Sequence, residues 1–329
     1  MNFPEIFVIF DRHCDWIDAH PNLPIEYIRF LEDEKSIDKI IEDISNSGIK
    51  VHKIPFKNKN YLNILDEIIN TKNAMLWNLT DGYEYFTGSN FPAVLQLANI
   101  PYIGSGSYTQ MLCQNKNHLK AVANSLGINV PKGGVIEENS FLSKQIHFWD
   151  NIDPPYFIKP VYLDNGIGDN IAYPICNNKS ELILSIKKLF KHNIQKISVE
   201  EFLPGKEYSV IAVNSSNWIY ECGEISYEGN LYLSSKLKDK RKYKCNFIHD
   251  SLSNKIIDKT KQLATEIKLK DYFRADYRLD EKGNIFLLEV NSNPFIMSLT
   301  FNNFINIHFK NRSDLLTKII IQSFKRQSS

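Results

Sequence analysis

The sequence predicts an α/β protein of two or three packed domains, led by a parallel sheet, and three observations predict it. The chain has 329 residues, more than one simple core accommodates. Strand-like and helix-like segments alternate over residues 1–105, the order that produces a parallel sheet covered by helices. Residues 271–295, DYFRADYRLDEKGNIFLLEVNSNPF, read as two strands joined by a tight turn at Asp280-Glu281-Lys282-Gly283, where the glycine can take positive φ.

Composition narrows the function classes. Lys and Arg number 39 against 38 Asp and Glu, so a net charge of +1 gives no global field for nucleic acid or a membrane surface. Hydrophobic residues make up 43%, ample for buried cores, yet no apolar run approaches the ~20 residues that cross a bilayer. The opening stretch FPEIFVIF has no basic region or small-residue cleavage site before it, so a cytoplasmic location is expected. The cysteines at 14, 113, 176, 222 and 245 are odd in number, scattered and without a C-x-x-C pair. Free thiols in a reducing compartment account for them better than zinc or a disulfide framework.

In order, IFVIF is a short buried strand, and SIDKIIEDISNSG carries Ile37, Ile40, Ile41 and Ile44 at helical spacing before Gly48 as a C-terminal cap. IKVHKIPF is a strand, YLNILDEIIN a helix, AMLWNL a strand, FPAVLQLANI a helix and PYIG a strand. No dinucleotide fingerprint is present, because the first strand runs into Asp11-Arg12-His13-Cys14-Asp15 without G-x-G-x-x-G. That cluster reads either as a metal site or as a turn lining a substrate cleft beyond the carboxyl end of the strand; adjacent His13 and Cys14 would point apart, which favours the turn. TDGYEYFTGSN, residues 80–90, is either a solvated loop or a substrate contact through Asp81, Tyr83 and Glu84.

A helix from Gln114 to Gly127 carries Lys116 near its start, and GINVPKGGVI opens a smaller domain. Strand PYFIKPVY, a glycine loop at 164–168, strand NIAYPIC, helix KSELILSIKKLF and strand KISVEEFL follow. Gly166 and Gly168 let backbone N–H groups approach phosphate oxygens closely, with Lys159 supplying charge. Pro204-Gly205 forces a turn that should leave the backbone of Phe202 and Leu203 unpaired at a sheet edge, open to a flat heterocycle flanked by Glu200 and Glu207. An ordinary turn with solvated glutamates is the other reading. After hairpin strands SVIAV and WIYECGEI, the segment SSKLKDKRKYKC is a solvated basic face or one that closes over phosphates, with Lys236 foremost. RSDLLTKIIIQSFKRQ is an amphipathic closing helix with Leu315, Leu316, Ile319 and Ile320 on a core.

Within the hairpin, alternation puts Arg274 and Asp276 on one face of the first strand and Glu289 and Asn291 on one face of the second, with Ile285 and Leu287 expected on the face of Glu289. A surface ion-pair cluster would use such charges, but two carboxylates and an amide beside an arginine suit Mg²⁺ on phosphates better.

Together these stretches resemble the ATP-grasp superfamily, and within it the D-alanine:D-alanine ligase branch. The resemblance is carried by PYIGSGS before Lys116, Lys159-Pro160 with its glycine loop, VEEFLPGKEYSV, Arg274-x-Asp276 and Glu289-x-Asn291-x-x-Pro294. It implies an α/β, ATP-grasp fold of three α/β domains, here an N-terminal domain at 1–113, a central one at 114–204 and a C-terminal one at 205–329. The nucleotide would lie between the central and C-terminal sheets. It further implies that Lys116 and Lys159, with the loop residues Asn165, Gly166 and Gly168, contact ATP. Glu200, Phe202 and Leu203 would meet adenine and Glu207 the ribose. Asp276, Glu289 and Asn291 would hold two Mg²⁺, or Mn²⁺, ions. Arg274 would stabilise an oxyanion, and Lys236 would come from the closing segment. The implied activity is an ADP-forming carboxylate-amine ligation through an acyl phosphate, with small-molecule substrates and a homodimer through the N-terminal domain.

Four departures bear on substrate. Nothing like the family's Gly-Gly-x-Ser-x-Glu-Arg-Glu motif follows Phe10, Asn165-Gly166 stand where two serines are usual, Phe295 replaces a glycine and Leu237 a tyrosine. The ATP half is kept and the amino-acid half rewritten, so the expectation is a ligase joining an amino acid or small carboxylic acid to an amine, other than two D-alanines. Its rivals are D-alanine:D-alanine ligation itself and a non-catalytic ATP-binding regulatory protein.

Overall fold

Three sheets and the helices between them organise the chain in a computed structural model that describes residues 3–12, 14, 34–56, 61–80, 87–142, 148–161, 169, 171–227 and 229–328. In the first sheet β1 (Glu5–Phe10) lies between β2 (Val51–Pro55) and β3 (Ala74–Leu79), with β4 (Tyr102–Ile103) beyond β3, all parallel as the alternation predicted. The inner strands β1 and β3 read as nearly continuous apolar runs because both faces are covered, whereas the edge strand β2 carries His52 and the exposed Lys53. Ile6, Val8 and Phe10 pack with Ile37, Ile40 and Ile44 of α1 (Glu34–Ser45). Phe7 and Ile9 pack with α2 (Tyr61–Ile69) and α3 (Thr87–Leu97) through Ile64, Ile68 and Leu95. After α1 the chain passes through Gly48 at φ 76°, the left-handed conformation expected of that glycine.

Helices α4 (Ser107–Gln114) and α5 (Lys116–Ser125) lead to the central sheet, which contains β5 (Gly133–Glu137), β6 (Tyr156–Pro160), β7 (Ile175–Cys176) and β8 (Lys196–Glu201) in the antiparallel order β5-β8-β6-β7. Tyr156, Ile158, Ile197 and Val199 point to one face, where α7 (Lys179–Lys191), which follows the short α6 (Glu138–Leu142), covers them with Leu182, Ile186 and Leu189. One expectation fails here. Strand β8 is interior rather than at an edge, and the N–H of Phe202 donates to the Pro155 carbonyl at 2.9 Å instead of standing unpaired.

The C-terminal sheet runs β11-β10-β9-β12-β13, from β9 (Glu207–Asn214), β10 (Trp218–Ser226), β11 (Lys244–Phe247), β12 (Tyr272–Leu279) and β13 (Ile285–Asn291). One face buries Tyr208, Val210, Phe273, Tyr277 and Leu287 against Ile256 and Leu263, which belong to α9 (Ser251–Glu266), the helix after the single-turn α8 (Ser235–Asp239). Helix α5 adds Leu119 and Ala123 to the same core, so by packing it belongs with this sheet although it opens the central stretch of sequence.

The β12–β13 ribbon contains a bulge that the sequence did not announce. Asp276 pairs with Glu289, but Tyr277 pairs with Leu287, leaving Leu288 as an extra residue. That insertion reverses the alternation. Ile285 and Leu287 enter the core with Tyr277, while Glu289 turns to the opposite face beside Arg274 and Asp276. The expectation that Ile285 and Leu287 share the face of Glu289 is therefore wrong.

The last helices, α10 (Leu299–His308) and α11 (Arg312–Ser328), return to the first domain, with Leu315, Leu316, Ile319 and Ile320 in the core of Trp77 and Ile6 as expected. Asp271, 1% exposed, fastens this return by accepting from the Gly104 N–H at 2.7 Å and from Arg326 at 2.8 and 3.1 Å. All five cysteines are free, and among the described residues no helix is long and apolar enough to cross a membrane. Substituting Arg326→Ala leaves a buried carboxylate short of its cation, so urea denaturation should show a loss of about 3 kcal/mol. A loss within ~0.5 kcal/mol would show that the contact is superficial.

Candidate functional site

The polar face of the β12–β13 ribbon gathers Arg274, Asp276, Glu289 and Asn291. They are cross-strand partners in two rows, Arg274 with Asn291 and Asp276 with Glu289. Arg274 Nε donates to both Asp276 oxygens at 3.0 Å and Nη2 to Oδ2 at 2.8 Å, while Ser209 on the neighbouring strand donates its hydroxyl to Oδ1. Arg274 Nη2 also lies 4.0 Å from Glu289 Oε1, and Lys116 Nζ lies 3.7 Å from Oε2. Burial alone would raise the Glu289 carboxyl, but Lys116, Lys159, Lys238 and Arg274 outweigh it and hold the group well below its ordinary value. Burial likewise opposes the Arg274 charge, and Asp276 more than offsets it. Two carboxylates and an amide are hard oxygen donors, and a carboxylate has about four acceptor directions, so Asp276 retains capacity beyond Arg274 and Ser209. This donor set fits Mg²⁺.

Opposite it, the inner face of the central sheet carries Phe157 beside Glu200 and Lys159 beside Ser198. Helix α5 bridges the two sheets. Asn115 caps it by accepting from the N–H groups of Asn117 and His118 at 3.2 and 3.1 Å. Lys116 and Lys120, four residues apart, then share one buried side of the helix. Lys120 bonds Glu200 Oε1, which also accepts from Ser198 Oγ at 2.7 Å, and Lys159 Nζ lies 3.4 Å from Oε2. Burial would raise the Glu200 carboxyl, but Lys120 and Lys159 hold it far below its ordinary value, while burial drags the Lys120 ammonium down. Lys120 was not among the expected site residues, although its spacing from Lys116 was there to be read. Gly133 makes room for this cluster, since a Cβ there would sit 2.4 Å from the Val199 carbonyl oxygen and 2.9 Å from Glu200 Cγ.

A third group lies where the chain passes from β8 to β9. Glu207 accepts from the Tyr227 hydroxyl at 3.1 Å and lies 3.8 Å from Arg278, and burial raises its carboxyl above the ordinary value. Arg278 donates to the Gly205 carbonyl at 3.1 Å and to that of Leu231, with its guanidinium 5.0 Å over the Phe202 ring. Phe202 in turn stacks on Phe157 at 6.3 Å. Arg278, Phe157 and Tyr227 were missed from the sequence; Arg278 extends the i, i+2, i+4 row begun by Arg274 and Asp276 and could have been found. Leu203 is buried at the turn, and a Cβ on Gly205 would strike the Leu279 carbonyl at 2.5 Å, so that turn requires glycine.

In the basic segment Lys236 is exposed, whereas Lys238 is half-buried; its charge helps lower the Glu289 carboxyl and partly opposes the burial that raises those of Asp169 and Glu207. Asp169 accepts from the Ser235 N–H at 3.1 Å, tying the central domain to the start of α8. Asp11 is buried and Cys14 exposed, and among the described residues no group of three or more His, Cys, Asp or Glu could hold a metal. His13, Asp15, Asp81, Tyr83, Glu84, Asn165, Gly166 and Gly168 lie outside the described residues. Phe295 is 38% exposed and Leu237 half-buried.

Comparison with known proteins adds three findings. Residues 122–320 match the family model described as D-ala D-ala ligase C-terminus. A D-alanine–D-alanine ligase of Aquifex aeolicus is 27% identical over 220 residues, covering 63% of this chain and 68% of the relative. Among solved structures, the Bacillus anthracis D-alanine–D-alanine ligase complexed with ATP superposes with a TM-score of 0.73 at 17% identity, over 100% of this chain and 99% of the other. The VanG D-Ala:D-Ser ligase of Enterococcus faecalis does so at 0.71 and 18%, over 98% and 100%. At those identities the structures establish the fold, the ATP-grasp arrangement of three sheets.

Two outcomes follow from the geometry. Gly133→Ala should cost about 1–3 kcal/mol in urea denaturation, because backbone rather than a pliable side chain stands in the way. Burial pushes the Asp169 carboxyl from 3.8 up to about 6, although the Ser235 N–H bond opposes this. Its folded value exceeds its unfolded one, so the stability it contributes is complete below pH ~4 and lost as pH rises through about 6. Asp169→Asn, which keeps an acceptor for Ser235, should gain about 1–3 kcal/mol over wild type at pH 7.5 and much less at pH 4; an equal difference at both would contradict this.

Proposed function

We propose a function from one premise: the chain belongs to the D-alanine:D-alanine ligase family. It is accordingly an ATP-dependent ligase that forms carbon–nitrogen bonds, of the ATP-grasp type. Beyond that, we place the nucleotide in the cleft between the central and C-terminal sheets, with the adenine near Glu200, Phe202 and Leu203, the ribose at Glu207 and the phosphates between Lys116 and Lys159. The single observation that carries this reading is the patch of Arg274, Asp276, Glu289 and Asn291 facing Lys116 of the bridging helix.

A carboxylate does not condense with an amine near pH 7, because its oxide is a poor leaving group. In the proposed reaction a carboxylate oxygen attacks the γ-phosphorus, the bond to the β–γ bridging oxygen breaks and ADP departs. The amine nitrogen then attacks the acyl carbon of the resulting acyl phosphate, the bond to the phosphate oxygen breaks, and phosphate and a proton leave with the amide formed. Asp276, Glu289 and Asn291 would hold Mg²⁺, which when bound neutralises charge on the triphosphate. Lys116 and Lys159 add to that neutralisation, the main need of phosphoryl transfer. Arg274, pinned by Asp276, is pre-oriented to donate to the oxyanion that develops at the acyl carbon. A basic residue of the α8 segment, Lys236 or the more inward Lys238, would close over the phosphates.

For substrate, the rewritten positions Phe295 and Leu237 and the missing N-terminal motif favour an amino acid or small carboxylic acid joined to an amine other than a pair of D-alanines. A second reading, D-alanine:D-alanine ligation, is favoured by the names its relatives bear; the D-Ala:D-Ser ligase among its structural neighbours supports variation in the acceptor.

Phosphate release across a matrix of amino acids and amines tests this: stimulation by a pair other than two D-alanines is expected, and stimulation by D-alanine alone would establish the second reading. Arg274→Ala should lower kcat by about 10²–10³ while Mg-ATP still binds by calorimetry. Turnover unchanged in a coupled ADP assay would refute its role. Chelation of divalent ions should abolish ADP formation, and Mg²⁺ or Mn²⁺ should restore it.

A further inference from the structure

Helix α5 carries two cations on one buried side, and each meets a different sheet. Lys116 meets Glu289 of the C-terminal sheet. Lys120, 5% exposed, points to the central sheet and has no task in the chemistry above. An ammonium held so far from water is costly, and an apolar side chain like those of Leu119 and Ala123 on the same helix would carry no such cost. What Lys120 does is make the two oxygens of Glu200 unlike. Oε1 is saturated inside the protein by Lys120 and by Ser198 at 2.7 Å. Oε2 faces Lys159 at 3.4 Å, a longer and looser contact with a side chain that is 17% exposed toward the cleft.

We propose that Lys120 is a positioning residue: with Ser198 it clamps Oε1 of Glu200, so that Oε2 alone is presented to the base and Lys159 becomes an exchangeable partner that the base displaces toward the phosphates. This rests on the reading that a nucleotide occupies this cleft. A base with an exocyclic amine, as in adenine, donates to Oε2; one with a carbonyl there meets two acceptors face to face and is rejected. Once the amine has taken Oε2, the Lys159 ammonium is free for phosphate oxygens, so recognition at one end of the nucleotide is coupled to charge neutralisation at the other. Inorganic tripolyphosphate has no base to release Lys159 and must compete with Glu200 for it.

Calorimetry with Mg-ATP, Mg-ITP and Mg-tripolyphosphate tests the arrangement in wild type, Lys120→Met, Glu200→Gln and the double variant. Wild type should prefer ATP over ITP. Lys120→Met should weaken ATP about tenfold or more and shrink the ATP/ITP ratio. Glu200→Gln should abolish that ratio and tighten tripolyphosphate several-fold, and in its background Lys120→Met should leave the ratio where it is. Should Lys120→Met fail to fold, Ser198→Ala removes the other arm of the clamp and should lower the ratio several-fold. An unchanged ATP/ITP ratio in whichever clamp variant is folded, or tripolyphosphate no tighter in Glu200→Gln, overturns the proposal while ATP binding to wild type stands. Absence of ATP binding to wild type overturns the nucleotide reading itself, and this inference with it.

Discussion

Two lysines one helical turn apart hold the cleft together. Lys116 meets Glu289 on the C-terminal sheet and Lys120 meets Glu200 on the central sheet, so α5 joins a half-buried carboxylate to a fully buried one. Glu200 could not be buried ionised without a cation, and neither lysine could be buried charged without a carboxylate beside it. Between and beyond the two lysines on the same buried stripe, Leu119 and Ala123 are anchored in the core beneath the C-terminal sheet, which fixes where the two ammonium groups point. Packing by Leu119 and Ala123 and charge from Lys116 and Lys120 thus act from one buried side of α5.

Much of this was legible in the sequence. The parallel sheet followed from the strand–helix alternation, and the closing helix from Leu315, Leu316, Ile319 and Ile320, because period and burial are local properties. The acidic ribbon was legible as far as its residues and its turn. What could not be read was the extra residue at Leu288, because strand alternation assumes an unbroken register and a bulge is settled by what each face must bury. Here the core claims Leu287 and the cleft claims Glu289, two positions that simple alternation would put together. The interior place of β8 was likewise hidden, since strand order depends on contacts between distant segments. Lys120 was overlooked for another reason: a lysine on a helix reads as solvated until its partner, Glu200, is known to lie across from it.

The fold also separates the residues that match the family pattern from those that depart from it. The charged residues of the candidate site stand on strands and on a capped helix, where neighbours on both sides hold them. The positions that depart from the family pattern, Phe295 and Leu237, lie in the turn after β13 and on the short α8. Such segments tolerate replacement without disturbing the sheets. The loop after β13 is nonetheless tethered, since the amide of Asn293 donates to the Asn78 carbonyl at 3.1 Å, while its oxygen accepts from Tyr272, which also receives the Trp77 N–H at 3.0 Å. The first domain therefore steadies the turn that carries Phe295.

The claim at the centre of this account is that a carboxylate is activated by phosphoryl transfer in this cleft. It is tested most directly by supplying the carboxylic acid labelled with ¹⁸O in both carboxyl oxygens, together with ATP and an amine that supports turnover, and weighing the phosphate released. One ¹⁸O in each phosphate is the predicted result, because the attacking carboxylate oxygen leaves with the phosphorus. Phosphate free of label, formed while the amide accumulates, would contradict it.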